Sequence, residues 1–309
     1  MLASAGMLFF SQCAGPDAAP DKKTAAKDTA AAQQQPAAKN EPPPPPPVTL
    51  AYTAYPIKGI KGAAAALKKQ YNKDQQRIIY ALNRVDEGHM PNQDTLIIPD
   101  TFMADIAAYS PFPQSVSLLA DVDKIVVFSY AIQAFAAYEQ GRQVYWGPTS
   151  MGSKIHKTPT GLFHTNWKAR ETISTVDDEW KLKWNFNIEN REGVGWHQYA
   201  LPGYPASHSC LRMFAYDAEW MYSWAQQWIL QDNKLAAKGT PVVVFGAYPF
   251  GSRRPWRNQI ENATVNNFSV EALEKEIQPF LADIKIGQEQ RKTVEAGRAA
   301  AKASQTAQP

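Results

Sequence analysis

The sequence predicts an α+β fold that is mainly β, and three observations carry that prediction. Short apolar runs at 125–128, 131–138, 143–146 and 240–245 are bounded by turn formers and are too short for helices. Apolar residues recur at helical spacing over 75–85, 217–231 and 270–297. All nine Trp lie between Trp146 and Trp256, whereas the first 48 residues hold two aromatics, Phe9 and Phe10. That asymmetry separates a front that cannot fold from a packed back half.

Length and charge narrow the classes. A chain of 309 residues holds one large or two modest domains. A net charge of +3 implies no strongly charged partner. Nucleic acid is excluded as a partner: there is no basic run interleaved with aromatics and no zinc-finger spacing. No apolar run reaches the roughly 18 residues that span a bilayer. The two cysteines, Cys13 and Cys210, sit in such different contexts that no disulfide between them is expected.

The elements follow in chain order. Residues 1–13 are an apolar run followed by Ser11, Gln12 and Cys13. This resembles the end of a bacterial lipoprotein signal peptide, which implies lipidation at Cys13. Two features depart: no Lys or Arg precedes the run, and Gln12 stands where a small residue is expected. The alternative is a frayed N-terminus with a chance cysteine. Residues 14–48 are rich in Ala, Pro, Gln, Lys and Asp and end in six prolines at 42–47. They read as a disordered tether, stiff and extended in its polyproline part, or equally as a passive spacer.

Residues 49–100 read as a small module. Helical runs at 63–71 and 75–85 are followed by a turn at Gly88, Pro91 and Asn92 and a short strand at 95–99. The second run and the strand resemble the second half of a LysM glycan-binding module, though no clear first strand precedes them. A plain helical linker is the other reading. Residues 101–122, with Pro111 and Pro113, form an irregular connector.

From 123 to 249 the pattern is β. Residues 125–128 form a buried-type strand. The runs at 131–138 and 143–146 flank Glu139, Gln140, Gly141 and Arg142, which reads as a hairpin. Then come Ser150, Met151 and Gly152, the turn Thr158-Pro159-Thr160-Gly161, and a closing strand at 240–245. Asp217 is placed to cap a helix running to about Gln231, with Trp220, Trp224 and Trp228 on one core-facing side. Residues 250–297 form a helical extension carrying Leu273, Ile277, Phe280, Leu281 and Ile284, and 298–309 a disordered tail.

One stretch, 197–213, concentrates the chemistry. It holds His197, His208, Cys210 and Arg212, two of the five histidines and the only cysteine outside the N-terminal region. A free thiol ionises near pH 8.5, so a neighbouring imidazole or guanidinium is what makes it a nucleophile near neutrality. His208 and Cys210 are two apart and share a face in an extended segment. His197 reaches that face only if Pro202, Gly203 and Pro205 fold the chain back. A zinc reading of His197, His208 and Cys210 fits no familiar ligand spacing.

His197, then Ser207, His208, Ser209, Cys210, Leu211 and Arg212, resemble the signature of the L,D-transpeptidase family, the YkuD-like catalytic domain. The strand order, the Ser-Met-Gly and Thr-Pro-Thr-Gly motifs and the closing strand extend the likeness over most of 123–249. One position departs: Ser209 stands where the family usually has Gly. If that residue needs a positive φ, Ser carries a cost that Gly does not.

The resemblance implies a β-sandwich or mixed-sheet domain with a helix after the cysteine. It implies Cys210 as nucleophile and His197 as general base, with His208 as the second candidate or a loop-orienting residue. The carbonyl of Gln198 would orient the base, and the N–H groups of Ser209 and Cys210 would serve as oxyanion donors. Arg212 would bind a substrate carboxylate or hold the loop by a salt bridge. Tyr199 and Tyr204 would line the pocket. His156 and His164 flank the Thr-Pro-Thr-Gly turn and read as surface or structural residues. The implied chemistry is acyl transfer on peptidoglycan tetrapeptide stems at the cell envelope, without cofactor or metal. A carboxypeptidase using water, a decayed wall-binding lipoprotein and a papain-like peptidase are the alternatives, the last with the wrong Cys/His order.

Overall fold

The structure is a computed structural model that describes residues 50–174 and 181–306. The expected anchor and tether at 1–13 and 14–48 lie outside the described residues, as do the last three residues of the tail. No helix among the described residues is long and apolar enough to cross a membrane.

The chain opens with β1 (Tyr52–Pro56), α1 (Ala63–Gln70), α2 (Lys73–Asn83) and β2 (Thr95–Pro99). β1 and β2 pair antiparallel, Tyr52 opposite Pro99 and Pro56 opposite Thr95. The first strand that the sequence did not reveal is therefore present. Its burial alternates poorly, which leaves the period-2 signal faint. α2 starts on a reciprocal Asn72–Gln75 capping box and ends at Arg84 in the left-handed region. Asn83 ties helix to strand: its amide donates to Ile79 O and Ile97 O, and its Oδ1 accepts the Ile97 N–H.

The remaining strands are β3 (Ile125–Ser129), β4 (Ala134–Glu139), β5 (Arg142–Pro148), β6 (Gly161–His164), β7 (Lys168–Ile173), β8 (Lys181–Glu189), β9 (Val194–Gln198) and β10 (Leu211–Met213). After them come α3 (Ala215–Trp224), β11 (Ile229–Gln231), β12 (Lys234–Ala237), β13 (Pro241–Phe245), α4 (Val270–Ile277) and α5 (Leu281–Thr306). Five strands form one mixed sheet in the order β5-β4-β3-β13-β6, and four form a second in the order β10-β9-β8-β7. β11 and β12 make a separate hairpin. The expected hairpin at 139–142 turns through Gln140 and Gly141, both at positive φ.

The two sheets face each other across one core. Val126, Phe128, Phe135, Val242 and Val244 of the first pack with Phe186, Trp196, Leu211 and Met213 of the second. Alternate residues Ile125, Val127, Ala136, Tyr138 and Val243 point to the other face, under Leu273, Ile277 and Ile284. Burial on both faces explains why these central strands read as unbroken apolar runs.

Tyr52, Ile78, Leu82 and Ile97 of the N-terminal module share one core with Val127, Tyr138 and Trp256, and the described residues form one compact unit. Two expectations are corrected. The helix after the cysteine starts behind Phe214 rather than Asp217, stops at Trp224 where Ala225 turns extended, and is followed by a strand. Its buried positions are Asp217, Ala218 and Met221, whereas Trp220 and Trp224 are half-buried and stack on each other at 5.2 Å. Trp228, also half-buried, lies beyond the helix. Finally, α5 continues as an exposed helix to Thr306, through most of the expected tail.

Candidate active site

β9 and β10 run parallel, with Leu211 opposite Trp196, Arg212 opposite His197 and Met213 opposite Gln198. Side chains alternate along a strand, so Trp196, Leu211 and Met213 face the core and His197 and Arg212 leave together on the other side. Cys210 precedes Arg212 by two and joins that side at the strand's mouth. The 199–209 loop supplies the return that the sequence required of Pro202, Gly203 and Pro205.

His197, Tyr199, His208, Cys210 and Arg212, with Ser174, Leu182 and Ser207, line one cavity of about 300 Å³. His197 is 3% exposed. Its Nδ1 lies 3.1 Å from the Gln198 carbonyl, which only accepts, so Nδ1 carries the proton and Nε2 the lone pair. Burial pushes the imidazole down to about 4, against the opposing pull of that hydrogen bond; Arg212 pushes it further down. The ring is thus a neutral base at neutral pH. The Cys210 thiol lies 4.0 Å from Gly193 O. Burial raises its pKa, while the Gly195 backbone and the Arg212 guanidinium pull it down. The resting pair is therefore thiol and neutral imidazole, rather than the thiolate that an adjacent cation suggested from sequence.

Arg212 stacks its guanidinium 4.5 Å over the Tyr199 ring, and Tyr199 meets His197 edge-on at 6.0 Å. Among the described residues no carboxylate pairs with Arg212. His208 packs against His156 at 4.3 Å between rings. His156 is exposed, and His164 is far along the chain in a different cavity, where burial lowers it to about 4. Tyr204 does not line the cavity: it is 47% exposed, with the Arg254 guanidinium 5.5 Å above its ring.

Ser209 has φ 78°, the left-handed conformation in which Ser costs more than Gly. Two hydroxyls hold this turn. Ser207 Oγ donates to Cys210 O at 2.6 Å, and Thr158 Oγ1 donates to Ser209 O at 2.8 Å. Ser209 Oγ also donates to His208 O. Thr158 Oγ1 accepts the Gly152 N–H at 2.9 Å, and a side chain at Gly152 would strike the His156 carbonyl at 2.1 Å. The Ser-Met-Gly and Thr-Pro-Thr-Gly motifs thus form the shelf on which the cysteine turn rests. Sequence reading placed both motifs but missed the role of Thr158, whose only signal was its position in a motif.

Residues 123–244 match the family model of the YkuD L,D-transpeptidase catalytic domain. No curated protein matches the chain. Solved structures similar to it include an L,D-transpeptidase from Stackebrandtia nassauensis, 22% identical over 41% of this chain and 57% of that one, with a TM-score of 0.34. An L,D-transpeptidase from Mycobacterium smegmatis is 19% identical over 40% of this chain and 59% of that one, with a TM-score of 0.33. L,D-transpeptidase 3 from Mycobacterium tuberculosis, in complex with a faropenem-derived adduct, is 24% identical over 40% and 61%, with a TM-score of 0.32. The chain spans less than two thirds of the length of each of these structures. The match over ordered motifs, and the strands that carry them, make residues 123–244 an L,D-transpeptidase catalytic domain of the YkuD type.

Proposed function

We propose that this chain is an L,D-transpeptidase acting on peptidoglycan tetrapeptide stems through a Cys210 thioester. The observation that supports it best is the β9–β10 register, which sets His197 beside Arg212 with Cys210 at the strand mouth, all on one cavity.

The chemistry follows from the resting protonation state. Cys210 Sγ attacks the carbonyl of the L-centre that precedes the terminal D-residue, and the thiol proton passes to His197 Nε2. The oxyanion is received by the N–H groups of Ser209 and Cys210. Collapse breaks the C–N bond; the departing amine takes the proton from His197 and leaves as the free D-amino acid. A thioester remains. An acceptor amine, deprotonated by His197 as it attacks, forms the new amide, and the released thiolate recovers the proton. Arg212 binds a stem carboxylate, since it is charged, faces the cavity and has no acidic partner among the described residues. Gln198 keeps the base in the right tautomer, and Tyr199 holds Arg212 in place. His208 orients the loop through its stack on His156. Tyr204, outside the cavity lining, is left at most a rim role.

If water replaces the amine, the same site is an L,D-carboxypeptidase. The 49–100 module supplies a surface for the glycan, and lipidation at Cys13 would hold the enzyme at the membrane on the periplasmic side.

The test is the whole chain with purified tetrapeptide muropeptides, followed by mass spectrometry, beside Cys210→Ala. Loss of the terminal residue with growth of a dimer, absent in the variant, is the expected result. Loss without dimer marks the carboxypeptidase. No reaction in either protein, with wall still bound, marks a decayed binding protein. A carbapenem adduct on Cys210 would report the nucleophile without any natural substrate.

A further inference from the structure

The segment that joins His197 to Cys210 is gripped from two sides, and one side is the N-terminal module. The Asp86 N–H donates to Leu201 O at 2.8 Å, and Asp86 Oδ2 accepts the Leu201 N–H at 2.8 Å. Gln93 donates to Pro202 O at 2.9 Å, and Val85 forms a β-bridge with Pro202. Gly203, at φ +83°, sits where a side chain would come within 2.8 Å of Gln93 Oε1. The Leu201 side chain is itself buried in the core of the module. The rest of the loop, from Tyr204 to Ser209, is held by Ser150, Met151, Ser153 and Thr158 of the catalytic domain.

We infer that the module sets the geometry of the active site, with Asp86 as the positioning residue. Both Asp86 oxygens are committed. Oδ2 holds Leu201, and Oδ1 accepts from the His89 N–H and lies 2.8 Å from His89 Nδ1, which fixes the carboxylate in place. The loop has no ladder of its own across 200–206. Its path is therefore fixed by these bonds, two residues beyond the cavity-lining Tyr199. Displacing it shifts Tyr199, and with it the seat of Arg212 and His197. Displacements of about 1 Å in such supports are known to cost up to about 100-fold in rate. The inference rests on the Cys210–His197 reading of the site.

The test uses the full chain with Asp86→Ala, Asp86→Asn and, as a control on the module surface, Lys58→Ala. Among the described residues the Lys58 side chain pairs only with exposed Asp94. Three quantities are read: kcat and KM on a tetrapeptide stem, the rate at which iodoacetamide alkylates Cys210 at pH 7, and the folded fraction by circular dichroism at the assay temperature. Asp86→Ala is expected to lower kcat about tenfold or more with KM changed less than about threefold, and to slow alkylation comparably. Asp86→Asn, which keeps one acceptor oxygen, recovers part of both, and Lys58→Ala matches wild type. A folded Asp86→Ala protein with wild-type alkylation and turnover overturns the inference, as does a loss of rate that only tracks a loss of folded protein. Should Asp86→Ala not fold, Gln93→Ala leaves the Asp86–Leu201 pair in place and removes the Pro202 bond along with those to His89 O and the Arg254 guanidinium, and wild-type rates there overturn the inference equally. If even the wild type leaves the stem intact, the transpeptidase reading fails, and the alkylation rates still decide whether Asp86 positions the site.

Discussion

Two of the buried ionisable centres among the described residues have opposite consequences. One is His197 with Cys210 and Arg212. The other is Asp217 with Tyr145 and Arg77, under α3. In both, burial is the dominant force: it lowers His197 to about 4 and raises Asp217 to about 7. The difference lies in what the spare atom faces. His197 Nε2 is left unprotonated beside an open cavity. Asp217 Oδ1 accepts from Tyr145 Oη at 2.6 Å, while Oδ2 has no hydrogen-bond partner among the described residues and faces Gly147, where even a methyl group would lie 2.8 Å away. A perturbed pKa alone therefore does not mark an active site; a perturbed group with room for a substrate does.

The largest effect expected follows from the first centre. His197→Ala should lower kcat/KM for stem cleavage by about 100- to 10,000-fold, the range a positioned general base supplies. The acid limb of the wild-type rate profile should fall near pH 4, because the base stays neutral down to that value, and not near the 6.5 of a free imidazole. A limb at 6.5 would show that His197 is not the group that titrates. Arg212→Gln comes next. A hydrogen-bonded pair with a charged group is worth about 1.5–3 kcal/mol, so KM should rise about 10- to 100-fold with kcat less affected.

The second centre should answer to stability and not to rate. Asp217 binds its proton in the native state over pH 3.8 to about 7, where the unfolded chain has lost it. The native state thus holds more protons, and stability falls as pH rises through that window, by on the order of 4 kcal/mol at most. His197 has the opposite sign. The unfolded chain holds more protons between about 4 and 6.5, so stability falls as pH drops through that range. Asp217→Asn should remove the first slope, making the variant more stable than wild type at pH 8 and nearly equal at pH 4, with kcat/KM unchanged. Urea unfolding at the two pH values measures this. A large loss of activity in Asp217→Asn would break the contrast between the centres.

How much of this was legible in the sequence follows from the physics of each part. The central strands were plain because burial on both faces writes an unbroken apolar run. The reactive set was plain because chemistry needs those residue types in one stretch. The strand Tyr52–Pro56 was not, since only its first residue is buried and its period is blurred. Asp217 has the sequence signature of a helix cap, standing before an apolar stripe, yet its side chain turns inward to Tyr145. The fusion of the module to the catalytic domain was hidden because it depends on pairs such as Asp86–Leu201, separated by 115 residues, which leave no local pattern.

The smallest effect concerns Ser209, and it tests whether this site is intact or decayed. A left-handed Ser costs about 1–2 kcal/mol relative to a right-handed conformation, while a Gly there adds about 0.4–1 kcal/mol of unfolded-chain entropy. Ser209→Gly should therefore change stability by about 0 to 1.6 kcal/mol, toward greater stability. Its rate should stay within about threefold of wild type, because the turn is already pinned by hydrogen bonds that do not involve the Ser209 side chain: Ser207 Oγ to Cys210 O, and Thr158 Oγ1 to Ser209 O. Thr158→Val removes the second of these, and its cost should be larger in the Ser209 protein than in Ser209→Gly, where the turn needs less support. Stem-cleavage rates of the four proteins in this cycle decide the matter. A rise of tenfold or more in Ser209→Gly alone would mean that Ser209 had disabled the turn, and the wall-binding reading would then displace the enzymatic one.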